Sequence, residues 1–576
     1  MILDYPRRGS VATFAFIAAA LVFTPLYAQA PAAVSTREVD DILAKYNEPG
    51  MPGCAIGVVQ NDVLVLSRGY GLADVENNVP INADTRFDIG SMSKQFLAMA
   101  VLMLASEGKI DLDADVHAYV SELPRYESKI SLRNLLHHTS GLKDYDQLQR
   151  IAGWRDGDVQ SFSDVLWIIE RQKSLAFEPG SRYSYSDSNY FLLGIIAQRV
   201  TGKPVDKLLE EMIFRPLGMN NTSLRTNHWA LVPHKAWPYR IEDGKPQLFL
   251  NGEEPLGDGG VFSTIADLAK WERNFDDGKV GGMRILQEMQ QAEPLADGTP
   301  NEYAAGLYVR RYGKLRMIEH SGASYGFLAE KIRFPEEHLS VMALCNRRDG
   351  PYVEISNSLA DLYLRLSSKA EETAPTEIQT KAQLERLAGL YFSDAAADGI
   401  LLEARDGALY DAGSDREFRQ TGPLAFKSAP SGTLCRCSAT YTFQLRPNGS
   451  VEGFVAARPS GSIENGNITD QYSRMQPANY NLLPQLAGEY VSDDVATSWC
   501  ILRNGNSLSV RRRGFADRSM QLVWSDAVDG PNGVLQFNRK NGRVTGFSLR
   551  NIRLNAVEFR RLPPGQHPVP QPWVCQ

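Results

Sequence analysis

Ser91-Met92-Ser93-Lys94 decides how this chain is read. A turn-like approach, Asn82-Ala83-Asp84-Thr85-Arg86-Phe87-Asp88-Ile89-Gly90, leads into it, and a nearly unbroken apolar run from Phe96 to Ala105 follows. That run predicts a buried helix. A serine and a lysine three positions apart at its start lie on one face, one turn apart. The free backbone N–H groups of a helix N-terminus can receive an oxyanion. A lysine half-desolvated by apolar neighbours can have its pKa lowered enough to take a hydroxyl proton. The stretch therefore predicts a nucleophile, Ser91, and its base, Lys94. As S-x-x-K is a short pattern, its meaning depends on the rest of the chain.

With 576 residues the chain is too long for one core, which predicts three to four domains. The formal net charge of -7 is spread out, with no basic run, and this excludes a nucleic-acid partner. Arg7-Arg8, an apolar stretch from Val11 to Val22, Pro25 and the small-residue site Tyr27-Ala28-Gln29-Ala30 have the layout of a secretory signal peptide over residues 1–28. The apolar part is short for a membrane span. The expectation is a soluble periplasmic or secreted protein without stable membrane insertion after cleavage, with an uncleaved anchor as the alternative. Cys54, Cys345, Cys435, Cys437, Cys500 and Cys575 allow many pairings, and sequence does not choose among them. Cys435-x-Cys437 is a poor metal signal, so buried or structurally paired thiols are expected.

Residues 35–366 read as mixed α/β. Cys54–Val59, a polar turn Gln60-Asn61-Asp62, and Val63–Ser67 form a predicted hairpin. Helices are predicted over Tyr190–Val200, stopped by Thr201-Gly202, from the capping pattern Thr264-Ile265-Ala266-Asp267 through Trp271, and over Tyr352–Leu366. Strands are predicted over Tyr303–Val309, Leu315–His320 and Leu339–Cys345. Residues 367–381, rich in Ala, Glu, Thr and Lys with Pro375, read as a linker. Beyond it the chain repeats itself. Leu387-Ala388-Gly389-x-Tyr391-x-Ser393-Asp394 recurs as Leu486-Ala487-Gly488-x-Tyr490-x-Ser492-Asp493, and Asn448-Gly449-x-Val451-x-Gly453-Phe454 as Asn541-Gly542-x-Val544-x-Gly546-Phe547. Asn-Gly between β-formers is a hairpin signal. Two copies of one antiparallel unit, 382–478 and 479–576, are expected, each closed into a small barrel so that no edge is bare.

Three further segments join the serine–lysine pair: Pro179-Gly180 through Tyr185-Ser186-Asp187-Ser188-Asn189 to Leu192-Leu193-Gly194; Glu319-His320-Ser321-Gly322-Ala323 at a predicted strand end; and Leu135-Leu136-His137-His138-Thr139-Ser140-Gly141-Leu142. With Gly259-Gly260, Ser263-Thr264, Asp267 and Ile213 to Met219, they resemble the serine β-lactamase-like hydrolases: class C β-lactamases, DD-peptidases and their esterase and D-aminopeptidase relatives. The three-domain D-aminopeptidases look nearest, since they too carry two β-barrels. The resemblance implies an α/β (α+β) penicillin-recognising hydrolase domain followed by two antiparallel barrels, working without metal or organic cofactor. It makes Ser91 the acyl-accepting nucleophile, Lys94 its base and Tyr185 the proton shuttle, and puts His320 in the place of the lysine in K-T-G. The backbone N–H groups of Ser91 and Ala323, the latter beyond Gly322, would form the oxyanion hole. His138, in a turn, is taken as structural.

Asp187 departs from that pattern, because the family usually has Tyr-x-Asn. Asparagine donates and accepts, whereas an ionised aspartate only accepts. Beside Lys94 it should form a charge pair that stabilises the ammonium and weakens the base. Asp187 would lose the donor to a substrate amide carbonyl and gain the ability to receive a free α-amine. Asn189, two residues on, could supply the missing amide, although at helix spacing it would point elsewhere. The expected function is an acyl-enzyme peptidase or amidase on D-amino acid-containing peptides or amides. An esterase or β-lactamase of the same fold, and a sensor that acylates without turnover, are the alternatives.

Overall fold

The computed structural model describes residues 34–366, 380–394, 398–428 without 413 and 415, 439–459, 467–476, 478–563 and 566. The expected signal peptide, most of the expected linker, and Cys435, Cys437 and Cys575 lie outside the described residues.

The first half is built on a six-stranded antiparallel sheet. Its strands are β1 (Cys54–Gln60), β2 (Val63–Tyr70), β3 (Tyr308–Tyr312), β4 (Leu315–Ser324), β5 (Phe327–Phe334) and β6 (Leu339–Cys345), in spatial order β3-β4-β5-β6-β1-β2. Central β1, β5 and β6 are buried on both faces because both faces are covered, and the charges that β5 carries at Lys331 and Arg333 are paired with Glu272. One face packs on the large core that holds α1 (Lys94–Ser106), α2 (Asp187–Thr201) and α3 (Ile265–Asp277). The other packs on the helix Thr36–Leu43 and on α4 (Tyr352–Leu364). Asn61 and Asp62 turn the first hairpin with φ of 48° and 65°, as a tight two-residue turn demands. Cys54 and Cys345 face each other in the β1/β6 register and form a disulfide, and Cys500 is also disulfide-bonded.

Several boundaries differ from expectation. Residues 303–307 are not strand: Gly306 turns at φ 74°, and a Cβ there would lie 2.7 Å from Gln95 Cα, so the chain bends to pass over the start of α1. The β3 strand runs from Tyr308 instead. Strand β4 continues to Ser324, which puts His320-Ser321-Gly322-Ala323 inside a strand rather than at its end. Helix α2 begins at Asp187, three residues before the expected start, and stops at left-handed Gly202.

Each repeat closes into an eight-stranded antiparallel barrel, from Gly389–Ser393 to Asn467–Arg474 and from Gly488–Ser492 to Val557–Arg561. The repeated motif repeats its contacts. Tyr391 donates to the Leu387 carbonyl at 2.6 Å and Tyr490 to that of Leu486 at 2.7 Å. Arg474 and Arg561, one in each closing strand, bond the carbonyls of Ala388 and Ala487. Gly389 and Gly488 have φ of 146° and 155°, and a side chain at either would press on those guanidinium groups. The core of the second barrel is continuous with the helical half of the first domain. Trp499 Nε1 donates across that junction to the Ile151 carbonyl at 3.2 Å.

Candidate active site

Ser91 lies in a single 3₁₀ turn, Gly90–Ser93, that runs straight into α1 at Lys94. The Lys94 side chain is fully buried under the apolar helix, and its Nζ meets three acceptors: Ser91 Oγ at 3.0 Å, the Asp258 carbonyl at 2.5 Å and Asp187 Oδ1 at 2.7 Å. Three acceptors match the three N–H donors of an ammonium. The resting lysine is thus charged, and Ser91 accepts a hydrogen bond from it.

Tyr185 lies beside this pair, its ring centroid 5.0 Å from Lys94 Nζ. Its hydroxyl is buried without a hydrogen bond of good geometry. Burial, then Asp187, push its pKa well above the usual value, while Arg553 and the Ser91 side chain act to lower it. His138 packs behind it with ring centroids 4.3 Å apart. His320 is held at both nitrogens, with Nδ1 2.6 Å from the Ser321 carbonyl and Nε2 3.0 Å from the Tyr303 hydroxyl. The carbonyl can only accept, so the proton sits on Nδ1 and Tyr303 donates to Nε2. Burial, reinforced by Lys94, pulls the His320 pKa down to about 3, so this side chain is neutral at working pH.

Asp187 opens α2, and both its oxygens are engaged. Oδ1 pairs with Lys94, and Oδ2 lies 3.3 Å from Nη1 of Arg553. Burial opposes ionisation of Asp187, but Lys94 and Arg553 outweigh it and hold the carboxyl below the usual range. Arg553 also reaches Asp144 Oδ2 at 3.5 Å and lies 4.9 Å over the Tyr185 ring. Asp144 N-caps the helix Tyr145–Ala152 and accepts from the Asp187 N–H at 2.9 Å. Burial and the Asp187 charge raise its pKa to about 7.

The two candidate oxyanion donors come from backbones in close approach. Sheet pairing of β3 to β4 stops at Glu319, leaving the β4 edge at Gly322-Ala323 to the Gly90-Ser91 turn. A Cβ on Gly322 would lie 1.9 Å from the Ile89 carbonyl oxygen, and one on Gly90 would lie 2.7 Å from Ala323 N. Only glycine fits at either place.

Ser91, Tyr185, Asp187, His320, Gly322 and Ala323 line a cleft of about 1380 Å³, walled by the first domain, by Arg458, Thr469 and Asp470 of the first barrel, and by Asn551, Ile552, Arg553 and Asn555 of the second. Its wall is acidic around Glu253, whose pKa burial and then Asp146, Asp258, Asp187 and Asp88 raise to about 8. Ser91, Lys94, Tyr185, Asp187, His320, Gly322 and Ala323, spread over more than two hundred residues of sequence, converge here. Asn189 does not: Oδ1 accepts from Ser140 at 2.6 Å and the amide nitrogen faces His138 Nδ1 at 2.9 Å. Sequence reasoning missed Asp144, Glu253, Tyr303 and Arg553. Asp144 had a signal, an N-cap residue just after Ser140-Gly141-Leu142, whereas Arg553 had none.

The fold and this constellation define a serine hydrolase of the penicillin-recognising type. Residues 39–365 match the Beta-lactamase family, and the chain belongs to that family. Its relatives include the D-aminopeptidase of Brucella anthropi, 25% identical over 534 residues that cover 89% of this chain and 96% of the relative. The D-aminopeptidase of Brucella melitensis biotype 2 is 24% identical over 528 residues, with 89% and 96% covered. Among solved structures, the octameric penicillin-binding protein homologue from Pyrococcus abyssi has the same fold, with a TM-score of 0.51, 17% identity, and 82% of this chain and 97% of that chain covered.

Proposed function

We infer that this protein is an exported hydrolase that acylates Ser91 and releases amines from peptides or amides with an N-terminal D-residue. Ser91 Oγ attacks the scissile carbonyl, and its proton passes through the Tyr185–Lys94 pair to the leaving amine. The N–H groups of Ser91 and Ala323 receive the oxyanion, and Gly322 lets the two backbones meet. His320, neutral and fixed by Tyr303, lines the cleft as a polar, uncharged wall. Water then clears the acyl-enzyme by the same route in reverse. The reading invokes no metal or organic cofactor.

The observation that carries the substrate side is the acidic wall at Glu253. Burial first, and then the nearby carboxylates of Asp146, Asp258, Asp187 and Asp88, hold Glu253 in its protonated form, and a substrate ammonium placed there would favour its ionisation and pair with it. Asp187 takes part as the partner of Lys94, and an amine approaching Oδ2 has to compete with Arg553. The D-configuration rests on the named relatives, which match through both barrels.

One observation favours a rival. The Lys94–Asp187 pair holds the lysine as an ammonium, which suits a protein that acylates and then fails to deacylate. The test is a screen of purified protein on D- and L-amino acid p-nitroanilides, short acyl esters and a chromogenic cephalosporin, with deacylation followed by mass spectrometry. Turnover of D-aminoacyl p-nitroanilides supports the reading. A stable acyl adduct without turnover establishes the sensor, and cephalosporin or ester turnover alone gives the substrate to the other relatives.

A further inference from the structure

Arg553 lies on a short segment between the last two strands of the second barrel, Arg543–Arg550 and Val557–Arg561. That segment is fastened to the first domain at four points. Asn551 Nδ2 donates to Gln147 Oε1 at 3.3 Å, the Ser184 hydroxyl to the Ile552 carbonyl at 2.9 Å, the Asp144 N–H to the Arg553 carbonyl at 3.4 Å, and Asn555 Nδ2 to the Ala176 carbonyl at 2.5 Å. The backbone is therefore set before the side chain is considered. From it the guanidinium reaches the carboxylate oxygen of Asp187 that Lys94 leaves free.

We propose that Arg553 is a positioning residue of the catalytic centre: from the second barrel it holds Asp187 as an ion aimed at Lys94, so that docking of this barrel sets the charge state of the Ser91–Lys94 pair. The groups around Asp187 make this a strong lever. Lys94 faces it from α1, Arg553 from the barrel, Asp144 from the Tyr145–Ala152 helix, and Tyr185 from the strand-like approach to α2. His320 acts on it from β4, and Asp258 and Glu253 from the segment before Val261. Three carboxylates, Asp187, Asp144 and Asp258, thus share two close cations, Lys94 and Arg553. Lys94 is covalently part of the site, whereas Arg553 arrives only when the barrel docks.

The sign of the effect does not depend on which group controls the rate. Removing a positive charge makes every nearby group hold its proton to higher pH. Loss of Arg553 must then move the acid limb of the rate profile upward. For a carboxylate beside an arginine the shift is about 1–3 units.

The proposal rests on Ser91 being the acylated residue, and the test separates the two. Full-length parent, Arg553→Gln and Arg553→Lys are compared from pH 4.5 to 9 by two readouts: kcat/KM on a D-aminoacyl p-nitroanilide, and the rate at which a fluorophosphonate labels Ser91. Thermal melts check that each variant is folded. The expected result is an acid limb about one unit or more higher in Arg553→Gln and near the parent's in Arg553→Lys. A residue that only fastens the barrel would lower the rate at every pH without moving the limb, and that outcome overturns the proposal. If the parent labels but does not turn over the anilide, the substrate reading fails and the labelling profile still decides the role of Arg553. A parent that does neither overturns both.

Discussion

Lys94 Nζ and Asp187 Oδ1 are 2.7 Å apart, with the lysine side chain fully buried and the aspartate carboxyl held below the usual range. An asparagine at 187 would accept from the lysine without drawing positive charge onto it. The aspartate stabilises the ammonium, and proton removal from Ser91 has to work against that pair. The second oxygen of Asp187 carries the same logic across a domain boundary to Arg553.

Ser91→Ala is expected to abolish turnover of every substrate the parent accepts, together with fluorophosphonate labelling. Its Oγ is the one hydroxyl bonded to Lys94 Nζ in the described residues. Label retained on the variant, located by peptide mass spectrometry, would assign the nucleophile to another residue.

Asp187→Asn should move the acid limb of labelling or ester hydrolysis downward by about 1–3 units. Taking away a negative charge lets the neighbouring groups release protons at lower pH, the opposite of the shift expected for Arg553→Gln. Profiles of the parent and the single variants, taken in one buffer series, check both signs. Limbs that move in the same direction would break the electrostatic account of this site.

Glu253→Gln should lower the preference for a free-amine amide over its N-acetyl analogue by about tenfold to a hundredfold, the value of a charge-assisted hydrogen bond of about 1.5–3 kcal/mol. The parent's preference should also depend on pH. Glu253, raised to about 8, is increasingly ionised as pH climbs from 6 to 8, and so receives an ammonium better. Above about 8 the substrate amine loses its own proton and the preference falls again. Measuring kcat/KM for both substrates across this range, in parent and variant, checks both parts. A flat parent ratio would place the amine elsewhere in the cleft.

Gly322→Ala should slow labelling of Ser91 by about a hundredfold or more, the scale of losing one oxyanion donor at about 2.7–4 kcal/mol. The added Cβ would lie 1.9 Å from the Ile89 carbonyl oxygen, so the Gly90-Ser91 turn and β4 have to separate. Labelling rate and melting temperature, measured together, show whether the separation stays local. An undiminished rate would mean that the two backbones do not form the oxyanion site.

Much of this protein is written in local patterns. Ser91-Met92-Ser93-Lys94 ahead of an apolar run specifies a buried helix with both side chains at its start, since helical spacing alone puts them on one face. The recurrence of Leu-Ala-Gly-x-Tyr and Asn-Gly-x-Val-x-Gly-Phe declares two like barrels, because each motif closes its own turn with its own tyrosine and glycine. Asp187 stood out beside Tyr185 because the register from Pro179-Gly180 to Leu192-Leu193-Gly194 leaves no other place for it. The bend at 303–307 and the extension of β4 to Ser324 were not legible, since both answer to a neighbour distant in sequence: the backbone of α1 for Gly306, and that of Ile89 to Ser91 for Gly322. The pairing of Glu253 with four other carboxylates, and of His320 with Tyr303, likewise arises only where separate segments meet.

By itself, the sequence determined the chemistry available: a serine, a lysine, a tyrosine and an aspartate in a recognisable order, followed by two barrels. Tertiary structure decided the charge on that chemistry. Arg553 stands 366 residues from Asp187 in the chain and carries no motif. Whether it meets that carboxylate depends on how the second barrel docks, and that is settled by apolar packing against the helical half and by the bonds around residues 551–555. Electrostatic interaction follows distance in space and burial, and neither can be read from positions along a chain.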